Sequence, residues 1–132
     1  MYLPDTGDVR PATPPPDFDH QTALASLRKF AALRPTRLMF SHYGPVGQVG
    51  ETLDRSAEEI TVWVEETRLA RAAGLDLDHA VAMVRDRTMA RYAATSPDAD
   101  PALAERFERV SSVRGNVEGI MHWLDKTEQS TG

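Results

Sequence analysis

The sequence has one clear strand pattern, and it stands between helical patterns. Three apolar residues, Leu38 to Phe40, follow an amphipathic helix that Pro35 ends, and the Gly44-Pro45 pair after them predicts a turn. A helix joined to a strand in this way must lay its apolar stripe on a sheet. One short strand cannot supply that sheet, so the unit requires more strands than this sequence predicts.

A histidine, His42, lies between the predicted strand and the predicted turn. A strand fixes the ring of a residue at its end, while the following loop leaves the ring accessible. This arrangement suits a metal ligand or an acid/base group. A histidine in this place is also common as a structural or surface residue, so the pattern by itself leaves both roles open.

The residues around His42 resemble a segment of a known family. Ser41-His42-Tyr43-Gly44-Pro45-Val46 is similar to the H-x-G-P-[V/I] segment of the metallo-β-lactamase-fold hydrolases, and residues 10–19 are similar to the run that precedes it in many members. The resemblance covers most of this chain but only the end of the family's domain. It implies a mainly α chain: the C-terminal fragment of an αββα fold, with a proline-rich arm and one αβ unit, followed by a three-helix tail.

The resemblance also implies a role for His42, because the family's histidine at this position is the last metal ligand. The metal is usually zinc, and sometimes iron or manganese. The family's main motif, H-x-H-x-D-H, is absent, because His20, His42, His79 and His122 are all more than twenty residues apart. We therefore expect His42 to be metal-free in this chain alone, or to bind weakly through a neighbouring chain.

A second comparison with the family concerns Asp8. Thr6-Gly7-Asp8 invites comparison with the Gly-Asp segment whose aspartate bridges two metals in the family. That segment normally ends an apolar strand, whereas Pro4 precedes it here, and proline cannot donate to a sheet ladder. We expect Asp8 to lie in a turn.

The composition argues against several classes of protein. The formal net charge is −5, and the sequence shows no basic stripe, which argues against binding to nucleic acid or an anionic membrane. Without cysteine there is no disulfide framework and no thiolate site. The short apolar runs and the N-terminus predict neither a membrane span nor a signal peptide, so a cytoplasmic location is expected.

The prolines of residues 1–18 predict an extended arm, and this arm has two interpretations. It is either a surface connector that is ordered by packing on something else, or, as the resemblance implies, a loop at the mouth of an active site. Asp17 or Asp19 is expected to cap the helix that follows. His20, in the first turn of that helix, is expected to be exposed to solvent.

Long helices are predicted from Val49 onward. The first ends near Gly74, Asp76 or Asp78 caps the second, and Asp100-Pro101 begins a third with near-heptad apolar spacing. Gly115 and Gly119 interrupt the third pattern, so this helix either kinks there or is crossed closely by a neighbour that only glycine admits. The expected core residues are Trp63, Leu69, Met83, Met89, Phe107, Met121 and Trp123.

Of the other histidines, His79 is expected to be exposed in the first turn of its helix, and His122 to be structural beside Trp123. The many carboxylates, including Glu58-Glu59 and Glu65-Glu66, are expected on the solvated faces of helices.

Two functional hypotheses follow. In the first, residues 1–48 are the arm and the helix–strand unit at the end of a metal-dependent hydrolase core, residues 49–132 are a helical region, and the chain is inactive alone. Its partner is then the missing N-terminal part of the domain or a second copy, with a homodimer as the expected state. In the second, the chain is a non-catalytic helical module for dimerisation or partner binding.

Overall fold

The structure, a computed structural model, is mainly helical, as the sequence predicts. It describes residues 2–3, 8–40, 44–95, 102, 105, 108–109 and 111–131. The long helices within these residues are α1 (His20–Ala32), α2 (Val49–Ala72), α3 (Leu77–Thr95) and α4 (Val113–Thr131). Helix α2 packs against each of the other three, and α3 also packs against α4.

Two short antiparallel hairpins accompany the helices. Strands β1 (Tyr2–Leu3) and β2 (Asp8–Val9) form one, and β3 (Leu38–Phe40) and β4 (Gly44–Val46) form the other. The predicted strand is therefore present as β3. The helix–strand unit that the sequence predicts contains two strands, β3 and β4, and not one.

The prediction of a turn at Gly44-Pro45 is wrong. Both residues belong to β4, and Pro45 lies opposite Met39 in the ladder. Proline lacks an N–H donor and is tolerated only in edge strands. Among the described strands β4 pairs with β3 alone, so the position meets that condition.

The prediction that Asp8 lies in a turn is also wrong. Asp8 begins β2 and lies opposite Leu3, with Tyr2 opposite Val9. Pro4 itself lies outside the described residues. Whether Asp8 binds a metal stays a prediction, since its side chain is outside the described part of the chain.

The helix boundaries follow from local signals that the sequence carries. Gly74 follows Ala73, the C-cap residue of α2, and has a φ of +71°, which glycine adopts without a steric penalty. Asp76 caps α3, because its Oδ1 accepts a hydrogen bond from the His79 N–H at 2.9 Å. Asp19 caps α1 in the same way, accepting from the Thr22 N–H at 2.7 Å.

The hydrophobic core lies between α2, α3 and α4. Trp63 and Trp123 are buried in it, as predicted, and Met83 and Met121 pack against it. Leu69 is an incorrect prediction, because its side chain is 52% exposed, and Phe107 lies outside the described residues. The buried cluster is formed by Trp63, Val64, Ala70, Ala80, Val81, Val84, Val113, Val117, Ile120, Trp123 and Leu124.

Helix α4 does not continue unbroken from the residues before it. Ser111 forms a bend and Ser112 is non-helical, so the helix begins at Val113. The Glu108 carboxylate accepts from the Val113 N–H at 3.2 Å, and this bond satisfies a donor that a new helix start leaves free. The predicted start at Asp100-Pro101 lies outside the described residues.

The proline-rich arm crosses α4 at Gly119. A Cβ atom at this position would lie 1.7 Å from the carbonyl oxygen of Thr13 and 2.9 Å from the carbonyl carbon of Pro14. No side chain fits in that space. The sequence left two explanations for this glycine, a kink in the helix or a close crossing by a neighbour. The close crossing applies at Gly119.

Asn116 anchors the arm to α4 through buried hydrogen bonds. Its Oδ1 accepts from the Thr13 N–H at 2.8 Å, and its Nδ2 donates to the Pro11 carbonyl at 3.1 Å. The Ser111 hydroxyl donates to the same carbonyl at 2.8 Å. Because Pro11 and Thr13 are buried, these bonds satisfy backbone groups that water cannot reach. Residues 11–13 of the arm are thus held by packing on α4 of the same chain.

No helix of the described residues combines the length and the apolar character that a membrane crossing requires.

Candidate functional site

The β3–β4 hairpin holds the two ends of the segment that contains His42. Phe40 ends β3 and lies opposite Gly44, the first residue of β4. Residues 41–43 connect this pair, and all three, including His42, lie outside the described residues. The role of His42 as a metal ligand therefore stays a prediction.

An apolar cleft lies between α1, β3 and α2. Its volume is about 460 Å³. Leu33 and Met39 on its edge are each 76% exposed, and Phe30 is 52% exposed. The helix–hairpin unit thus leaves much of its own apolar surface in contact with solvent. The lining residues are Leu27, Phe30, Leu33, Pro35, Arg37, Leu38, Met39, Phe40, Leu53 and Ser56.

The stretch of sequence that supplies most of the cleft lining also carries exposed cations. Residues 20–50 contain four Arg or Lys residues and no Asp or Glu, although the whole chain has 15 of the former and 20 of the latter. All four are exposed, and none of them forms an ion pair with another described residue. They are Arg28, Lys29, Arg34 and Arg37. This stretch therefore carries a local positive charge in a chain whose net charge is −5.

Several arginines elsewhere in the molecule pair with carboxylates. Arg71 joins α2 to α4 by pairing with Asp125 and, at 2.7 Å, with Glu128. Arg87 and Arg91 on α3 pair with carboxylates of α2, and Arg68, Arg109 and Arg114 also have carboxylate partners. The ion pairs of Arg71, Arg87, Arg91 and Arg114 connect different helices, whereas those of Arg68 and Arg109 join residues three or four positions apart. Among the described residues, the cations of residues 28–37 form no ion pair that joins one element to another.

The prediction that His20 is exposed is wrong. Its side chain is buried, with its ring edge-on to the Trp123 ring at a centroid distance of 5.6 Å and its Nε2 atom 3.5 Å from the Thr61 hydroxyl. The helix pattern could not indicate this, because Thr61 belongs to α2 and Trp123 to α4. Trp123 is itself oriented by its indole N–H, which donates to the Asp19 carboxylate at 3.1 Å.

Burial lowers the pKa of His20, and the nearby positive charge of Arg68 lowers it further, while Glu65 and Asp19 act in the opposite direction. The unfolded chain therefore takes up a proton near pH 6.5, and the folded chain does so only at lower pH. The free energy of unfolding should fall as the pH drops from 6.5 towards the lowered pKa.

We expect His20→Gln to flatten this dependence. Urea denaturation at several pH values between 7 and 5 measures it, and a comparison of the two slopes isolates His20 from the rest of the protein. The carboxylates with lowered pKa values, Asp19 and Asp76, titrate below 3.8 and do not contribute in this range. An equal slope in the wild type and the variant would contradict the burial argument.

The other described histidines lie on the surface. His79 is exposed, as predicted, and its Nδ1 atom lies 2.7 Å from the Asp76 carboxylate. His122 is exposed on α4, so the prediction of a structural role is wrong. Within the described ranges no three His, Asp or Glu side chains form a group that could hold a metal ion.

An open pocket of about 320 Å³ lies between the arm and α1, beside Asp17 and Asp19. The Asp19 carboxylate is already committed to the Thr22 N–H and the Trp123 N–H, and the first of these bonds is the main reason that its pKa is lowered. An ionised carboxylate with its oxygens occupied in this way is a structural acceptor. We assign no chemistry to this pocket.

Comparisons with models of protein families, with curated proteins and with solved structures give no match for this chain.

Proposed function

We propose that this chain is the C-terminal part of a metallo-β-lactamase-fold, metal-dependent hydrolase. In this proposal it supplies His42 as the last metal ligand, together with a helical tail. The H-x-H-x-D-H motif is absent from the sequence, so in this proposal the other metal ligands belong to another polypeptide segment. The chain is then inactive when it is alone.

The observation that carries the proposal is the exposed apolar side of the helix–hairpin unit. The unit has the order helix, strand, His42-containing segment, strand, and its cleft remains open at Leu33 and Met39. A complete layered domain covers such a face with a sheet or with further helices. An incomplete unit in which His42 follows a strand in the sequence is what the end of a larger α/β domain would present.

The metal chemistry follows from the resemblance. When bound, a pair of metal ions, zinc or else iron or manganese, would supply the activated water that hydrolysis of an ester, thioester, lactam or phosphoester bond requires. The described residues of this chain do not make up a metal site by themselves. His42 would be one donor among several, and we derive no further step through the metal.

A second candidate is a non-catalytic helical module that forms a homodimer or binds a partner. It is favoured by the location of the core, which α2, α3 and α4 form largely without the helix–hairpin unit. Leu69, exposed on α2, offers a small apolar contact for such an interface. This candidate needs no metal.

Light scattering after size exclusion, with and without added zinc, separates the two candidates. The hydrolase proposal predicts that any change in mass or thermal stability on adding zinc is lost in His42→Ala and kept in His79→Ala. A dimer that forms equally well without zinc, and equally well in both variants, supports the helical module and contradicts the hydrolase proposal.

A further inference from the structure

We propose that the cleft between α1, β3 and α2 docks an acidic amphipathic helix of another polypeptide. This inference rests on one part of the proposed function, namely that another polypeptide covers this face. It rests on the exposure and the charges around the cleft and holds whether or not His42 binds a metal.

The shape of the surface favours a protein segment over a small molecule. The volume of about 460 Å³ is ordinary for a ligand cleft. The apolar surface continues beyond the cleft, however, because Leu33 and Met39 are each 76% exposed at its edge. A small ligand would leave those side chains in water. A helix laid along the cleft would cover them with its own apolar stripe.

Charge determines which helix fits. Arg37 is the charged member of the lining, Arg34 stands between the lining residues Leu33 and Pro35, and Lys29 directly precedes Phe30. Asp54, which follows Leu53, is the one carboxylate residue that is adjacent in the sequence to a lining residue. A partner with carboxylates flanking its apolar stripe would pair with cations that have no partner among the described residues.

The same charges argue against the alternatives. A second copy docked symmetrically through this face would place Arg34 and Arg37 near the identical residues of the first copy, and like charges oppose one another. A planar anionic bilayer satisfies the charges, but it does not enter a concave cleft as a helix does.

Fluorescence anisotropy with two labelled peptides tests the proposal. Both are amphipathic helices of about 18 residues with leucine on one face, and the remaining positions carry mostly glutamate in one peptide and lysine in the other. The glutamate peptide is expected to bind more tightly, and added NaCl is expected to weaken its binding. Equal binding of the two peptides would overturn the proposal.

Matched variants locate the site. We expect Arg34→Glu combined with Arg37→Glu to weaken binding of the glutamate peptide by about tenfold or more. Arg85→Glu, a control on the exposed side of α3, should change it less than about twofold. Leu33→Asp should abolish binding, whereas Leu69→Asp, at another exposed leucine, should not. These residues are all exposed, and circular dichroism verifies that each variant is folded.

Three further results would overturn the proposal. The first is unchanged binding in the Leu33→Asp variant. The second is binding to anionic phosphatidylserine vesicles that depends on Leu33 and excludes the peptide. The third is a homodimer, seen by light scattering, that Leu33→Asp dissociates. All measurements are made without metal and repeated in His42→Ala, so that failure of the metal site and failure of the docking surface give different results.

Discussion

Gly119→Ala is expected to lower the free energy of unfolding by about 3 kcal/mol or more. The new Cβ would lie 1.7 Å from the Thr13 carbonyl oxygen, and the obstructing atoms belong to the backbone, so no side chain can rotate away. Overpacking of this severity costs from about 1 to 3 kcal/mol, and occasionally more. Here the arm must also leave α4, and the hydrogen bonds of Thr13 are then lost. Urea denaturation followed by circular dichroism measures the change.

Gly50→Ala is the matched control. Gly50 lies in α2, and apart from its chain neighbours and the adjacent helix backbone no atom lies within 4 Å of the position that its Cβ would take. Alanine has a higher helix propensity than glycine by about 1 kcal/mol, so this variant should be as stable as the wild type or more stable. If Gly119→Ala behaved like Gly50→Ala, the arm would not cross α4 at this residue.

Asn116→Ala is expected to lower the free energy of unfolding by about 2–4 kcal/mol, because it leaves buried partners without hydrogen bonds. The Thr13 N–H loses its acceptor, and the Pro11 carbonyl keeps only the bond from Ser111. Asn116→Asp should also be destabilised. Its carboxylate can still accept from Thr13, but it cannot donate to Pro11 and it introduces a buried charge.

The control for Asn116 is Ser130→Ala on the same helix. Ser130 is exposed, and its hydroxyl donates to the Lys126 carbonyl at 2.9 Å, a bond that water replaces readily. Its effect should stay within about 0.5 kcal/mol. A loss at Asn116 as small as that at Ser130 would show that the arm does not depend on this network.

Local signals in the sequence predicted much of the secondary structure. Helix α2 ends beside Gly74, Asp76 caps α3, and Leu38 to Phe40 form a strand, because a glycine with positive φ, a capping carboxylate and an apolar run each act over a few residues. The core positions Trp63 and Trp123 also followed from helical spacing.

The burial of His20 and the crowding at Gly119 depend on contacts between residues that are distant in the sequence. His20 is buried because Trp123 lies beside it, and Gly119 is required because Thr13 crosses it. Nothing local to His20 indicates Trp123, and an asparagine in a helix, such as Asn116, gives no sign that it binds an arm more than 100 residues away. The local positive charge of residues 20–50 follows directly from the sequence, because this stretch contains four Arg or Lys residues and no carboxylate.

The candidate metal site could be predicted only through the resemblance around His42. Composition and spacing gave a histidine after a strand and nothing that converges on it. The structure adds a reason to expect a partner, because Leu33 and Met39 remain exposed beside the hairpin that holds the His42 segment.

The metal content of a longer polypeptide tests the central claim most directly. The chain is produced in frame with the polypeptide encoded upstream of residue 1 in its source genome, and bound zinc, iron and manganese are measured after dialysis. The hydrolase proposal predicts an H-x-H-x-D-H motif in that polypeptide, bound metal in the wild type and in His79→Ala, and a marked loss of metal in His42→Ala. An upstream sequence without the motif, or metal content unaffected by His42→Ala, would contradict it.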